Sequence, residues 1–348
     1  MESLKTLSII IPTYNMENYL TRCLDSLVNA KEVLPKLEIL VVNDGSKDKS
    51  SRIAHEYQKK HPDSIVVIDK ENGNYGSCVN RGLKEATGKY VKVLDADDWF
   101  LTENLKRFTD ILAFRDEDLV LTDFDVVDTQ GGVIESVRHG YPKGQTLCMD
   151  SFCGTKEFCK MQMHSVTYKT AMVKGIGYQQ SEGISYTDQE WIFEPMSHAK
   201  SFYNTGLIIY QYLMGREGQT MNPEQMRKQI GHTLQGVYVM MAAYERRAVE
   251  CSSSMKRYLL SKLKERLLYL YRAFLLEQVS GRELILRLDD AIEQRHMEIY
   301  LMSNNIFPDK LFPFHFVRWW RKHGRENLPQ WVKALYKILI YLKKIAKA

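Results

Sequence analysis

The sequence predicts an α/β protein with an open, mostly parallel sheet flanked by helices, followed by a C-terminal helical appendage. Three observations favour this fold class. Short apolar runs alternate with helical patterns, a polar cluster follows each run, and long helical patterns fill the chain after residue 222. Strand, helix and strand in repetition are typical of a parallel sheet with right-handed crossovers.

The first hundred residues supply the first strands and the helices between them. Runs rich in β-branched residues predict strands buried on both faces at 7–11, 37–42, 65–68 and 90–94. Helical spacing predicts helices at 19–28, 51–60 and 77–86. Further along, a strand is predicted at 206–212 and long helices at 223–249, 255–276 and 281–301.

Composition excludes several classes of protein. The 348 residues include 48 basic and 43 acidic side chains, a balance too mild for a nucleic-acid partner. The six cysteines have neither the spacing of a zinc site nor the density of a disulfide scaffold, which predicts free thiols in a reducing cytoplasm. We expect no signal peptide and no spanning helix, since no apolar run approaches the required ~20 residues.

Polar residues follow each of the first four predicted strands. They occupy positions 12–15, 43–46, 71–74 and 95–98. Ligands of open α/β sheets bind at the carboxyl ends of the strands. The sequence therefore predicts a binding site built from these four segments.

The fourth segment holds three carboxylates in four residues, Asp95, Asp97 and Asp98. Like charges this close repel one another unless a cation lies between them, and Mg²⁺ or Mn²⁺ prefers carboxylate oxygens. We expect Asp97 to bind the metal directly and Asp95 to hold either the ribose or a metal-bound water. Asp98 either completes the metal shell or caps a helix beginning near Thr102. An acidic turn without metal is the alternative.

Together the four segments resemble family 2 glycosyltransferases of the GT-A fold, over roughly residues 5–220. The chain shows S-I-I-I-P-T-Y-N, V-N-D-G-S-K-D, E-N-G-N-Y-G-S-C-V-N-R-G-L and L-D-A-D-D-W in the family's order and spacing. The resemblance implies transfer of a sugar from a nucleoside diphosphate donor, with Mg²⁺ or Mn²⁺ and inversion at the anomeric carbon. It also implies a catalytic domain at 1–222, with a nucleotide-sugar half at 1–100 and an acceptor half at 101–222. Helical spacing and charge then predict a helical region at 223–304 and a basic segment at 305–348.

Donor contacts follow from the same segments. Tyr14 offers a face to the base, and Asp44 can accept the imide N–H of uracil or serve the turn Asn-Asp-Gly-Ser. The expected donor-binding residues are Pro12, Tyr14, Asn15, Asp44, Asn72, Gly73, Asn80, Asp95, Ala96 and Arg216. Where the family often has arginine this chain has Val79, so Arg81 either reaches the same space or faces solvent.

An inverting transferase also needs a carboxylate that deprotonates the acceptor hydroxyl. Asp188 aligns with the family's base, with Thr187 replacing the usual glutamate before it, and Glu190 is the fallback. Thr187 or Asp188 could instead cap a helix at 190–196, with Glu190 completing a capping box. His164 either lines the acceptor pocket or is structural.

Arg216 lies between glycines in the segment 215–220, which predicts a loop that closes on the diphosphate; an exposed arginine without a role is the alternative. The family's processive synthases carry Q-x-x-R-W near this point. This chain lacks that pattern, which favours addition of a single sugar.

The C-terminal segment from residue 306 has ten basic and two acidic residues. An apolar stripe recurs at helical spacing at Trp331, Leu335, Ile338, Leu342 and Ile345. This pattern predicts an amphipathic helix that either lies in an anionic membrane surface or docks on protein, including a second copy.

Two hypotheses of function follow. The first is a glycosyltransferase that extends a surface polysaccharide or lipid-linked glycan of a bacterium, working in the cytoplasm or at the inner face of the plasma membrane. The second is a catalytically silent GT-A scaffold in a glycan-assembly complex. A nucleotidyltransferase would need a glycine-rich, basic loop after the first strand, where this chain has Pro-Thr-Tyr-Asn.

Overall fold

The strands form one open sheet. The computed structural model describes residues 5–216 and 227–345, and within them ten strands pair in the order β3-β2-β1-β4-β9-β6-β10-β5, with β7 added to β6 and β8 to β10. Their bounds are β1 Leu7–Thr13, β2 Leu37–Asn43, β3 Ile65–Asp69, β4 Tyr90–Val93, β5 Trp99–Phe100, β6 Leu119–Val127, β7 Val133–Val137, β8 Thr146–Cys148, β9 Val166–Lys169 and β10 Ser201–Leu213.

Helices cover both faces of the sheet and then continue as a bundle. Those before the bundle are α1 Leu20–Val28, α2 Ser50–Lys60, α3 Asn74–Glu85, α4 Thr102–Ala113, α5 Met149–Phe152, α6 Thr170–Gly175, α7 Asp188–Trp191 and α8 Glu194–His198. The bundle contains α9 Ile230–Ala248, α10 Ser253–Tyr271, α11 Arg282–Arg295, α12 Met297–Ser303, α13 Phe316–Lys322 and α14 Gln330–Ile345.

The parallel register of the first strands positions the polar segments. Every residue of β1 is buried, because β1 is central and parallel to both β2 and β4. Thr13 pairs with Asn43, which in turn pairs with Asp69. The segments that follow these strands therefore leave the sheet side by side.

The predicted open α/β sheet with a helical appendage is confirmed, but its second half is mixed. β6 and β10 are parallel, whereas β9 runs antiparallel between β4 and β6. The expected helix at 190–196 is two short helices, because Pro195 has no backbone N–H to donate and starts a new helix instead. The pattern at 281–301 likewise divides at His296.

The bundle shares a hydrophobic core with one face of the sheet. Buried residues of this core run from Ile10 and Val91 in the strands to Leu263 in α10 and Trp320 in α13. The predicted boundary at 222/223 lies outside the described residues. Within the described residues, no helix is both long and apolar enough to cross a bilayer.

Candidate active site

The three clustered aspartates lie in a tight turn directly after β4. The amide of Leu94 still bonds to Ile10 of β1, at 2.9 Å, and the amide of Asp98 then bonds back to the carbonyl of Asp95 at 3.0 Å. This turn directs the three carboxylates toward the carboxyl edge of the sheet.

Asp95 is bonded to a neutral partner. The Tyr75 hydroxyl donates to its Oδ1 at 2.8 Å. Burial and the neighbouring Asp97 raise the pKa of Asp95 to about 7, with Asp188 acting in the same direction. The Asp95 carboxyl is therefore only partly ionised near pH 7, and a cation beside it would stabilise its charged form.

Asp98 braces the turn against β10. Its Oδ2 accepts from the Tyr210 hydroxyl at 2.6 Å and its Oδ1 from the Leu213 amide at 2.7 Å. It does not cap α4, whose N-terminus at Leu101 has no side-chain cap. Burial, followed by the charges of Asp97 and Asp95, raises the pKa of Asp98 well above its usual range.

Asp97 forms an ion pair with Arg216 through the guanidinium Nε. Both side chains are nearly buried, at 11% and 9% exposed, and the guanidinium lies 5.2 Å from the centre of the Tyr19 ring. The loop arginine that the sequence assigns to the donor and the aspartate that it assigns to the metal therefore touch. Residues 217–220 of the predicted closing loop lie outside the described residues.

His164 lies beside Asp95 and Asp98 in the structure, although it is far from both in the sequence. It lies in the 3₁₀ turn Met163–Ser165, and one ligand atom from each of Asp95, Asp98 and His164 lies within 4.8 Å of the others. Its Nδ1 is buried without a hydrogen-bond partner among the described residues. Burial lowers the pKa of His164 to about 3, which leaves the neutral imidazole that metals bind.

These groups fit a hard divalent cation. Carboxylates with raised pKa values and an unpartnered neutral imidazole are held together in a site of low exposure, where each is costly without a positive charge. Sequence reasoning expects Asp97 and Asp95 in the metal site, with Asp98 as a further member of the shell. The ligand atoms that lie together belong to Asp95, Asp98 and His164, whereas Asp97 is paired with Arg216.

Asp44 is buried at the end of β2. Its Oδ1 accepts from Lys70 Nζ at 2.6 Å and from the Gly73 amide at 2.9 Å, while its carbonyl accepts from Asn72 Nδ2 at 3.0 Å. A side chain at Gly73 would collide with Ser77, at 2.7 Å from its hydroxyl, so the close turn needs glycine. Sequence reasoning missed Lys70.

Residues after β1 form the neighbouring wall. Tyr14 is 45% exposed, as a ring that stacks on a base needs to be. Asn15 adopts a left-handed φ of 53° and is locked to the next segment, because its Oδ1 accepts from the Lys47 amide at 2.8 Å. Pro12 and Ala96 are buried beneath this wall.

Asn80 holds the segment that leads to the proposed base. Its Oδ1 accepts from the Gln180 amide at 2.8 Å, and its Nδ2 donates to the Gln180 carbonyl at 2.8 Å. Helix α3 approaches so closely that a side chain at Gly76 would lie 2.0 Å from the Ser181 carbonyl oxygen. Arg81 instead pairs with Glu85 on the surface, at 3.0 Å.

Asp188 begins α7 with a carboxylate that is 37% exposed. Its charge acts on both Asp95 and Tyr75, so it belongs to the same cleft. Gln189 Nε2 donates to it at 2.9 Å, and Arg266 Nη2 lies 3.9 Å away.

The capping box that the sequence offers as an alternative is absent from the described helix. Thr187 Oγ1 accepts from Gln180 Nε2 at 2.9 Å, and α7 has no side-chain cap. Glu190 is buried, with Oε2 accepting from the Ser181 amide at 2.8 Å and Oε1 unpartnered within the described chain. Both side chains thus hold the 180–181 segment, while Asp188 faces the cleft.

Comparisons with known proteins concern the family and the fold. Residues 8–171 match the family described as Glycosyl transferase family 2. The minor teichoic acid biosynthesis protein GgaB of Bacillus subtilis (strain 168) is 42% identical over 110 residues, which cover 32% of this chain and 12% of that protein.

A second relative is similar in both sequence and structure. The poly(ribitol-phosphate) beta-N-acetylglucosaminyltransferase TarS of Staphylococcus aureus (strain Mu50) is 31% identical over 221 residues, or 62% of this chain and 36% of that protein. The crystal structure of S. aureus TarS 1–349 in complex with UDP-GlcNAc superposes with a TM-score of 0.63 at 22% identity, covering 86% of this chain and 84% of that one. The match spans less than half the length of each curated relative, and the structural likeness shows the fold.

Proposed function

Since the chain belongs to the family 2 glycosyltransferases, we propose that it transfers a single sugar from a UDP-sugar to a hydroxyl group, with inversion. The acceptor is a glycan or lipid-linked glycan of a bacterial surface polysaccharide or teichoic acid. Both reported relatives carry names from wall-polymer assembly, which supports this acceptor class.

One observation carries the proposal. Asp44 and Asp95 to Asp98 follow β2 and β4, which run parallel to β1 and so end at one edge of the sheet, and the charge of Asp188 acts on the pKa of Asp95. A base-recognition group, a cation site and a general base are the parts that an inverting transfer needs.

The donor occupies the wall formed by the ends of β1 and β2. The exposed Tyr14 ring stacks on the base, and Asp44 accepts the uracil imide N–H through the oxygen that Lys70 and Gly73 do not use. The complex of TarS with UDP-GlcNAc supports a uridine nucleotide. Arg216, already beside the aspartates, contacts the diphosphate.

Asp95 and Asp97 would hold Mn²⁺ or Mg²⁺, with Asp98 and His164 adjoining. When bound, the cation supplies positive charge to the leaving diphosphate. The chain's own contribution is rigidity, since Tyr75, Tyr210 and the Leu213 amide fix the carboxylates before any ligand arrives.

Asp188 acts as the general base. Its exposed carboxylate accepts the proton of the acceptor hydroxyl as that oxygen attacks the anomeric carbon from the side opposite the leaving diphosphate. Glu190, buried and bonded to Ser181, positions the segment instead.

The cellular setting is part of the same proposal. We place the reaction in the cytoplasm, where a nucleotide-sugar donor and the six free cysteines are both expected. The divisions at 1–222, 223–304 and 305–348, and assembly as a homo-oligomer, belong to this proposal as well.

The test separates chemistry from binding. Asp188→Asn should keep its affinity for UDP, measured by calorimetry with Mn²⁺ present, while UDP release from UDP-sugars falls by about 10² to 10⁴, the usual scale for a lost general base.

Glu190→Gln is the matched control, because it keeps an oxygen for the Ser181 amide and should lose less than about tenfold, below the range for a general base. A large loss confined to Glu190→Gln would move the base to that residue. A wild-type chain that neither binds UDP nor cleaves any UDP-sugar would overturn the proposed function.

A further inference from the structure

The C-terminal helix α14 packs on the bundle through one face only. Val332 is fully buried, and Tyr336 is 3% exposed. The Tyr336 hydroxyl accepts from Arg272 Nη2 at 2.9 Å and donates to Glu277 Oε1 at 3.0 Å. These contacts hold α14 in one orientation on the protein.

The opposite face of α14 is apolar and open to solvent. Its side chains are between 47% and 65% exposed. They are Trp331, Leu335, Ile338, Tyr341, Leu342 and Ile345. This face contains the stripe predicted from the sequence, and about half of each side chain in that stripe stays open to solvent in the described part of the chain.

The loop before α14 extends the same surface. The Phe314 ring packs against Trp331 with centres 5.6 Å apart, and Leu311 nearby in sequence is 74% exposed. An exposed apolar patch of this kind marks an interaction site in a water-soluble domain. We call it, with the open face of α14, the C-terminal apolar face.

The segment that carries this face is strongly basic. Residues 306–348 carry eight more basic than acidic side chains, whereas the rest of the chain is slightly acidic. Arg321, Arg325 and Lys343 are used in internal ion pairs. Exposed basic residues remain at Lys310, Arg318, Lys322 and Lys337.

We propose that the C-terminal apolar face lies in the surface of an anionic lipid bilayer. The helix has 16 residues, about 24 Å at 1.5 Å per residue, too short to span but suited to lie in the interface. Trp331 and Tyr341 are residue types that favour the headgroup region, and basic side chains attract anionic lipid.

A second copy of the chain fits this face less well. The stripe spans only about two heptads, and a coiled coil needs three or four. The open arc, which also includes Tyr341 and Ala334, is wider than the a/d seam of a coiled coil. A broad apolar arc edged by lysine matches a bilayer surface.

The inference is independent of the proposed activity, because lipid binding needs neither donor nor acceptor. The experiment uses the full chain and two kinds of vesicle, one of phosphatidylcholine alone and one in which about one lipid in three is the anionic phosphatidylglycerol. We expect co-sedimentation with the anionic vesicles, weakened at least tenfold by 0.5 M salt, since each lysine near the surface contributes about 1 kcal/mol that salt screens.

The variant Leu335→Glu/Ile338→Glu/Leu342→Glu should lower the partition coefficient at least tenfold, with an unchanged melting temperature. Phe114→Glu is the control, because Phe114 is 82% exposed far from this face and should bind lipid like the wild type. Brominated lipid should quench Trp331, and Trp331→Phe should lose that quenching.

Three results would overturn the inference. The first is that the triple variant binds anionic vesicles as well as the wild type does. The second is that the wild type binds uncharged vesicles as well as anionic ones. The third is that the wild type does not bind lipid and sediments as a dimer, whereas the triple variant sediments as a monomer. The last result would assign the face to a second copy.

Discussion

Two clusters of aspartates, one in the helical bundle and one in the cleft, differ in the groups that contact their carboxylates. In the bundle, Asp289 is fully buried and paired with Arg321 at 2.6 Å and Arg325 at 2.9 Å. In the cleft, the hydrogen bonds that Asp95 and Asp98 receive from the described residues come from neutral groups, two tyrosine hydroxyls and one amide.

The difference distinguishes a structural charge from a functional one. The bundle neutralises its carboxylate with its own arginines, so the cluster is complete and joins α11 to α13. The cleft leaves two carboxylates with raised pKa values, a condition that costs stability and persists where an external cation or substrate is to be bound.

The largest effect on stability is expected in the bundle. Arg321→Met should lower the free energy of unfolding by about 3 to 5 kcal/mol, because it leaves Asp289 buried with half of its counter-charge. Urea unfolding followed by circular dichroism measures it. Lys322→Met, an exposed neighbour, should stay within about 0.5 kcal/mol, and an equal loss in both variants would refute the distinction.

Replacing the aspartate itself should have opposite signs in the two clusters. Asp289→Asn should lower the melting temperature, since the buried Arg321 loses its carboxylate partner, while Arg325 keeps Asp290 and Glu293. Asp95→Asn should raise the melting temperature of the metal-free protein at pH 8, because the charge it removes is unfavourable there. Mn²⁺ should raise the melting temperature of the wild type and not that of Asp95→Asn. Thermal scans of both proteins in EDTA and in Mn²⁺ measure this difference.

The pH dependence should separate the clusters further. Between pH 4 and 7 native Asp95 keeps a proton that the unfolded chain has released, so its contribution to stability declines as pH rises and levels off above about 7. The stability of Asp95→Asn minus that of the wild type, from urea titrations in EDTA, should therefore grow over this window. A flat difference would mean that Asp95 titrates normally.

The smallest effect is expected for a carboxylate that is paired but exposed. Asp110 lies 2.9 Å from Lys106 and 3.2 Å from Lys36, with 40% of its side chain exposed. Asp110→Asn should change the free energy of unfolding by about 0.2 to 1 kcal/mol, and 0.5 M salt should remove the difference. A loss of unfolding free energy as large as that of Arg321→Met would show that burial does not determine how much an ion pair contributes to stability.

The sheet edge could be predicted because it depends on local patterns. Apolar runs between helical segments indicate parallel strands, and parallel strands end at one edge, so Asp44 and Asp95 can be assigned to the same edge of the sheet without any knowledge of distant contacts. The apolar stripe of α14 follows from helical spacing in the same way, whereas its exposure to solvent is known only from the structure.

The sequence by itself determined where the first strands lie in the chain, which carboxylates follow them and which face of the last helix is apolar. Only the tertiary structure decided that His164 joins Asp95 and Asp98, that Arg216 pairs with Asp97, and that Glu190 is buried while Asp188 is exposed. The physical reason is that strand and helix periodicity act over a few residues, whereas these contacts join segments that come together only when the core packs and each buried polar group must find its partner.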